Sequence, residues 1–209
     1  MLMTNNTLQF ISAGILLGLS AGLSPGPLLT LVITQTLKHN RKEGIKVAMS
    51  PLITDLPIIL TAMFILKKIS EFNLILALIS FSGGVFLAYL GIESVRIKKL
   101  NVDQQDLSKS ESLKKGIIAN FLNPSPYLFW TTVGTPLIFD ALQINLITSV
   151  LFLIAFYTFL LGSKIMIAFL TARSKLFINQ KIYLIVMKIL GIILIIFSLI
   201  FFYDGVKYL

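Results

Sequence analysis

Six apolar runs, at residues 8–33, 47–66, 74–95, 116–139, 146–171 and 182–203, occupy most of this 209-residue chain and limit its fold more than any other feature. A bilayer core about 30 Å thick is crossed by roughly 20 residues of helix, and every run reaches that length. The runs are continuous rather than alternating at about ten-residue spacing, so the expectation is helices and not barrel strands. With 56% hydrophobic and 13% charged residues and a mean hydropathy of +0.89, a water-soluble domain of this size would expose large apolar patches. The predicted fold class is an all-α integral membrane protein with six transmembrane helices, a single transmembrane domain over 1–209.

The net charge of +9 raises nucleic acid as a partner, but the placement of the charges argues for topology. Thirteen Lys and Arg fall in connections one, three and five, among them Lys38, Arg41, Lys42, Lys46, Lys114 and Lys115, and three fall on the other side. That asymmetry puts the odd connections in the cytoplasm and both termini outside, in the cell membrane. The basic residues also lack interleaved aromatics, so no nucleic-acid partner is expected. The first run has no basic leader and is too long for a signal peptide, and it is kept in the mature protein.

A polar stretch at about 96–115 divides the chain into halves of three runs, 8–95 and 116–204. With an odd number of spans each, related halves must be inverted relative to one another. The halves share a motif: Leu23-Ser24-Pro25-Gly26-Pro27 recurs as Leu122-Asn123-Pro124-Ser125-Pro126, displaced by 99 residues. Two prolines two apart remove backbone donors and break a helix. Broken helices in matching positions of inverted halves point to a transport site, against the plainer reading of kinks that shape packing. Gly14, Gly18, Gly22 and Gly26 share one helical face, which suits close helix contact, either within the chain or in a homodimer, in preference to direct solute contact.

Asp55 sits near the middle of the second run, Lys164 in the corresponding run of the other half and Lys188 in the sixth. An ionisable group there costs on the order of 3 kcal/mol to insert and is expected to face a cavity or a partner. Asp55 and Lys164 are read as facing one central cavity, able to pair, to attract an amino and a carboxylate group, or to carry a coupling proton. The alternatives are a structural ion pair or a snorkelling lysine, and snorkelling is the reading for Lys188. Glu93 reads as interfacial. Asn120, Asn123, Trp130, Thr131 and Thr132 cluster at the second break as a polar path, with Asn123 a helix cap or solute acceptor and Trp130 equally a packing residue.

These residues resemble the lysine exporter and homoserine/threonine exporter family, the LysE-type translocators, across nearly the whole chain. The segment from Gly18 to Pro27 is similar to the family's glycine-rich stretch ending in Pro-Gly-Pro, Asp55 to an aspartate of its second span, and Asn123-Pro124 to its Asn-Pro-Lys. Ser125 stands where lysine is common, Pro51 lies in a region usually rich in glycine, and Lys164 is placed to supply the missing charge. The resemblance implies secondary export of amino acids or related metabolites by proton antiport, with Ser24, Pro25, Gly26, Pro27, Asp55, Asn123, Pro124, Pro126 and Lys164 as the path. No cofactor or catalytic residue is expected: there is no cysteine, the one histidine is His39, and no phosphate-binding loop is present. A cation or metal-ion exporter or channel is the alternative, and an intramembrane enzyme a weaker one.

Overall fold

The computed structural model describes residues 2–65, 72–96, 111–175 and 180–209. Leu66, Lys67 and Lys68 lie outside the described residues, as does most of the polar divider with Lys98, Lys99, Asp103, Asp106 and Lys109. The described residues are all helical or connecting. They form α1 (Leu2–Leu23), α2 (Pro27–Lys38), α3 (Arg41–Ala48), α4 (Ser50–Ile65), α5 (Phe72–Val95), α6 (Ser112–Phe121), α7 (Pro124–Phe129), a π-helical turn (Trp130–Gly134), α8 (Thr135–Ile144), α9 (Leu146–Lys175) and α10 (Gln180–Lys207). Large apolar side chains on α4, α5, α9 and α10 remain exposed, including Leu56, Leu78, Ile154 and Leu199, as lipid-facing surfaces require.

Among the described residues four helices, Arg41–Met63, Leu74–Val95, Leu146–Ser174 and Gln180–Lys207, are long and apolar enough to cross a membrane. A fifth crossing is reached if α1 and α2 count as one span across their 59° bend. The run at 116–139 contains no such helix, because Asn123-Pro124 ends α6 and the backbone then passes through α7, the π turn and α8. A second difference concerns the first basic connection. Arg41, Lys42 and Lys46 belong to α3 and not to a loop, since Asn40 caps that helix by accepting from the N–H groups of Lys42 and Glu43, leaving a turn of His39 and Asn40.

Two helix pairs frame the molecule. Gly14, Gly18 and Gly22 of α1 lie against Phe152, Phe156 and Leu160 of α9, so the two helices run parallel. A Cβ on Gly14 would come within 2.6 Å of the Phe152 carbonyl oxygen. The glycine face is therefore filled within the chain, and Gly26 is not part of it. On the other side α5 and α10 run antiparallel and meet at Gly91 and Gly191, where a Cβ on either would lie within 2.8 Å of the other's carbonyl oxygen. Ser198 donates to the Gly84 carbonyl one contact further along. Between the pairs, Leu31 and Val32 of α2, Val47 of α3, Leu90 of α5, Ala119 of α6 and Leu194 of α10 close a common core.

Candidate functional site

The first break begins where α1 runs out of donors. In an uninterrupted helix the Ala21 carbonyl would accept from residue 25, but Pro25 has no N–H, and Pro27 leaves the Leu23 carbonyl in the same position. Gly26 is extended and Pro27 opens α2. The Lys164 ammonium, reaching across from α9, donates to the freed carbonyls of Ala21 (3.3 Å) and Gly22 (3.1 Å). A cation at the negative end of the α1 dipole is favourable, and a buried lysine is tolerated because these carbonyls receive it. Lys164 is 4% exposed.

The second break is arranged differently. Asn123 accepts from the Ser125 N–H at 3.0 Å and caps α7, with Pro124 at its first position. The freed Phe121 carbonyl accepts from the Tyr127 hydroxyl at 3.0 Å. Ahead of the break, Asn120 donates to Asp55 Oδ1 at 3.0 Å and to Thr54 Oγ1 at 2.6 Å. Tyr157 of α9 donates to Asp55 Oδ2 at 3.3 Å, the Thr54 hydroxyl lies 3.4 Å from Oδ1, and the Trp130 side chain stands beside the carboxylate. Asp55, 5% exposed, is thus held by neutral donors, Asn120 and Tyr157, and forms no ion pair among the described residues. Trp130 is fixed for this by Phe129, Phe156 and Tyr157, whose ring centroids lie 5.1, 5.3 and 6.3 Å from its own.

Both breaks open onto one cavity of about 310 Å³. Ser24, Pro25, Gly26, Pro27, Asp55, Asn123, Pro126 and Lys164 all line it, together with Pro51 and Ser125. The sequence of residues 19–205 matches the family described as LysE type translocator, a span covering most of the chain. The chain belongs to the LysE-type translocator family. Comparison with curated proteins and with solved structures returns no match. Membership makes this a multi-pass membrane protein and places it among the exporters of amino acids or related compounds, with a small molecule as its substrate.

In this LysE-type translocator some residues fall outside the cavity. Pro124 is buried behind its wall, and the hydroxyls of Thr131 and Thr132 turn back to the carbonyls of Tyr127 and Leu128 and do not form a path. Lys188 is exposed on the outer face of α10. Glu93 pairs with Lys38 and, at 3.2 Å, with Lys115, tying α5 to α2 and α6 away from the cavity. Sequence reasoning missed Tyr157 and Asp204. Tyr157 carries no signal among the aromatics of its run, but Asp204 does: it falls four residues after Ile200 and seven after Phe197, on the one face of α10 that lines the translocator's cavity.

Proposed function

We propose that the chain is a secondary active exporter of amino acids or closely related small metabolites, exchanging them for protons across the cell membrane through the cavity between the two breaks. One observation carries this reading. Asp55 of the first half reaches Asn120, just ahead of the second break, while Lys164 of the second half reaches Ala21, just ahead of the first. Ala21 and Asn120 are related by the same displacement that relates Pro25 to Pro124.

A crossed arrangement of this kind is what two inverted three-helix halves produce about an axis in the membrane plane. The antiparallel packing of α5, the last span of one half, against α10, the last span of the other, with Gly91 on Gly191, also supports it. In the full six-span reading, α1 with α2 makes the first crossing and α6 through α8 the fourth. The odd connections are then cytoplasmic and both termini lie outside.

The division of labour follows from the hydrogen bonds. Two of the three Lys164 N–H groups hold Ala21 and Gly22, leaving one for a solute carboxylate. Asp55 is the proton carrier of this reading. A protonated carboxyl is a donor on one oxygen, so it cannot keep both partners as donors, and loading a proton releases Asn120 of α6 or Tyr157 of α9. Proton movement is coupled in this way to the elements of the second half.

The test is efflux of radiolabelled amino acids from proteoliposomes with and without an imposed pH gradient, comparing wild type with Asp55→Asn. Gradient-driven movement of at least one solute, abolished in the variant, is the expected result. A wild-type protein that moves no amino acid but carries monovalent cations would replace this reading by the cation exporter.

A further inference from the structure

Three charged side chains line the cavity, Asp55, Lys164 and Asp204, and their circumstances differ. Asp55 is enclosed by Asn120, Tyr157, Trp130 and Thr54. Lys164 is bound to two carbonyls. Asp204 makes no side-chain hydrogen bond or ion pair among the described residues, and it is partly exposed although it belongs to an apolar helix of membrane-crossing length. It stands in the last turn of α10, just beyond the apolar run at 182–203, where it lines the cavity and is also reached by water.

Building on the exporter reading, we propose that Asp204 receives the cationic group of the solute and sets the charge selectivity of the cavity. Of the two acids, only Asp204 has its acceptor oxygens uncommitted. Its neighbours on the same face of α10, Phe197 and Phe201, also line the cavity, as do Phe129 and Phe156. Aromatic rings on the wall that carries the carboxylate, Phe197 and Phe201, suit an ammonium or guanidinium group, which they attract through the ring quadrupole without competing for the ionic hydrogen bond. Two acids against one base further favour zwitterionic and cationic solutes over anionic ones. Asp204 is thus a recognition residue on the α10 wall, distinct from the proton-carrying role given to Asp55.

The experiment measures concentration-dependent efflux of radiolabelled L-lysine, L-threonine and L-glutamate from proteoliposomes containing wild type, Asp204→Asn or Asp204→Glu, each verified as monodisperse with wild-type thermal stability. Asp204→Asn is expected to raise the half-saturating concentration of lysine about tenfold and to cut the preference for lysine over glutamate by a similar factor, as loss of one charge-assisted hydrogen bond implies. Asp204→Glu should restore most of that preference. Unchanged selectivity in Asp204→Asn, with wild type active, overturns the role of Asp204 and leaves the exporter intact. Equal loss of all three solutes in both variants also overturns it, in favour of a structural role. Failure of wild type to move any of the three, alongside failure of the wider amino-acid panel, overturns the exporter reading and this proposal with it.

Discussion

Lys164→Met keeps the length and apolar stem of the side chain but leaves the Ala21 and Gly22 carbonyls without their donor. Unpaired buried polar groups cost about 1–3 kcal/mol each. The variant should therefore lose about 2 kcal/mol in reversible denaturation in detergent, whereas Lys188→Met on the exposed face of α10 should lose less than about 0.5 kcal/mol. Equal losses would show that the ammonium does not serve the break. Asp55 and Lys164 were legible in the sequence because a charge inside an apolar run is rare and needs a reason. What each one touches was not legible: the carbonyls that hold Lys164 lie on a helix more than a hundred residues away, and the Tyr157 hydroxyl looks like any other aromatic of its run. Asp204, just past the end of the sixth run, is told from an ordinary interfacial carboxylate only by the cavity that its helix face lines.

Among the elements, α1 separates two uses of glycine that share one spacing in the sequence. A Cβ on Gly18 would crowd the Phe156 carbonyl and lie 3.2 Å from the Leu160 backbone nitrogen, so Gly18→Ala must push α9 away. At Gly26 the nearest atom to a new Cβ is the Ser24 carbonyl oxygen at 3.9 Å, in the cavity wall. Gly18→Ala is expected to lower thermal stability by several degrees. Gly26→Ala should leave stability near wild type while reducing efflux, because the methyl group enters the path. A fully active Gly26→Ala protein would remove this residue from the path. Sequence spacing placed all four glycines on one helical face. Pro25 ends that helix before Gly26, a change of direction that a period of 3.6 residues does not register. The π turn was likewise hidden, since nothing in the sequence around Trp130 separates a π ladder from an α ladder.

For the whole molecule, the six apolar runs and the paired breaks follow from hydropathy and proline chemistry, and the described helices agree with four of the runs, the first being bent by 59° between α1 and α2 and the fourth divided. Its division reflects a conflict between hydropathy, which counts residues, and Asn123-Pro124, which ends α6. The orientation proposed from the basic residues is open to direct labelling, because the chain has no cysteine and single cysteines can be introduced into that background. Lys42→Cys on α3 should react with an impermeant maleimide only from the cytoplasmic side, and Gln143→Cys near the end of α8 only from outside. Reaction of both from one side would refute the topology. The claim on which the account rests is that the cavity between the breaks is the route taken by the solute. Ser125 lines that cavity and is exposed to it, so its replacement by cysteine puts the one thiol of the molecule at the second break. Treatment of Ser125→Cys proteoliposomes with a small methanethiosulfonate reagent should block efflux, and the transported amino acid should slow the reaction. Stoichiometric modification with efflux unchanged would contradict the account.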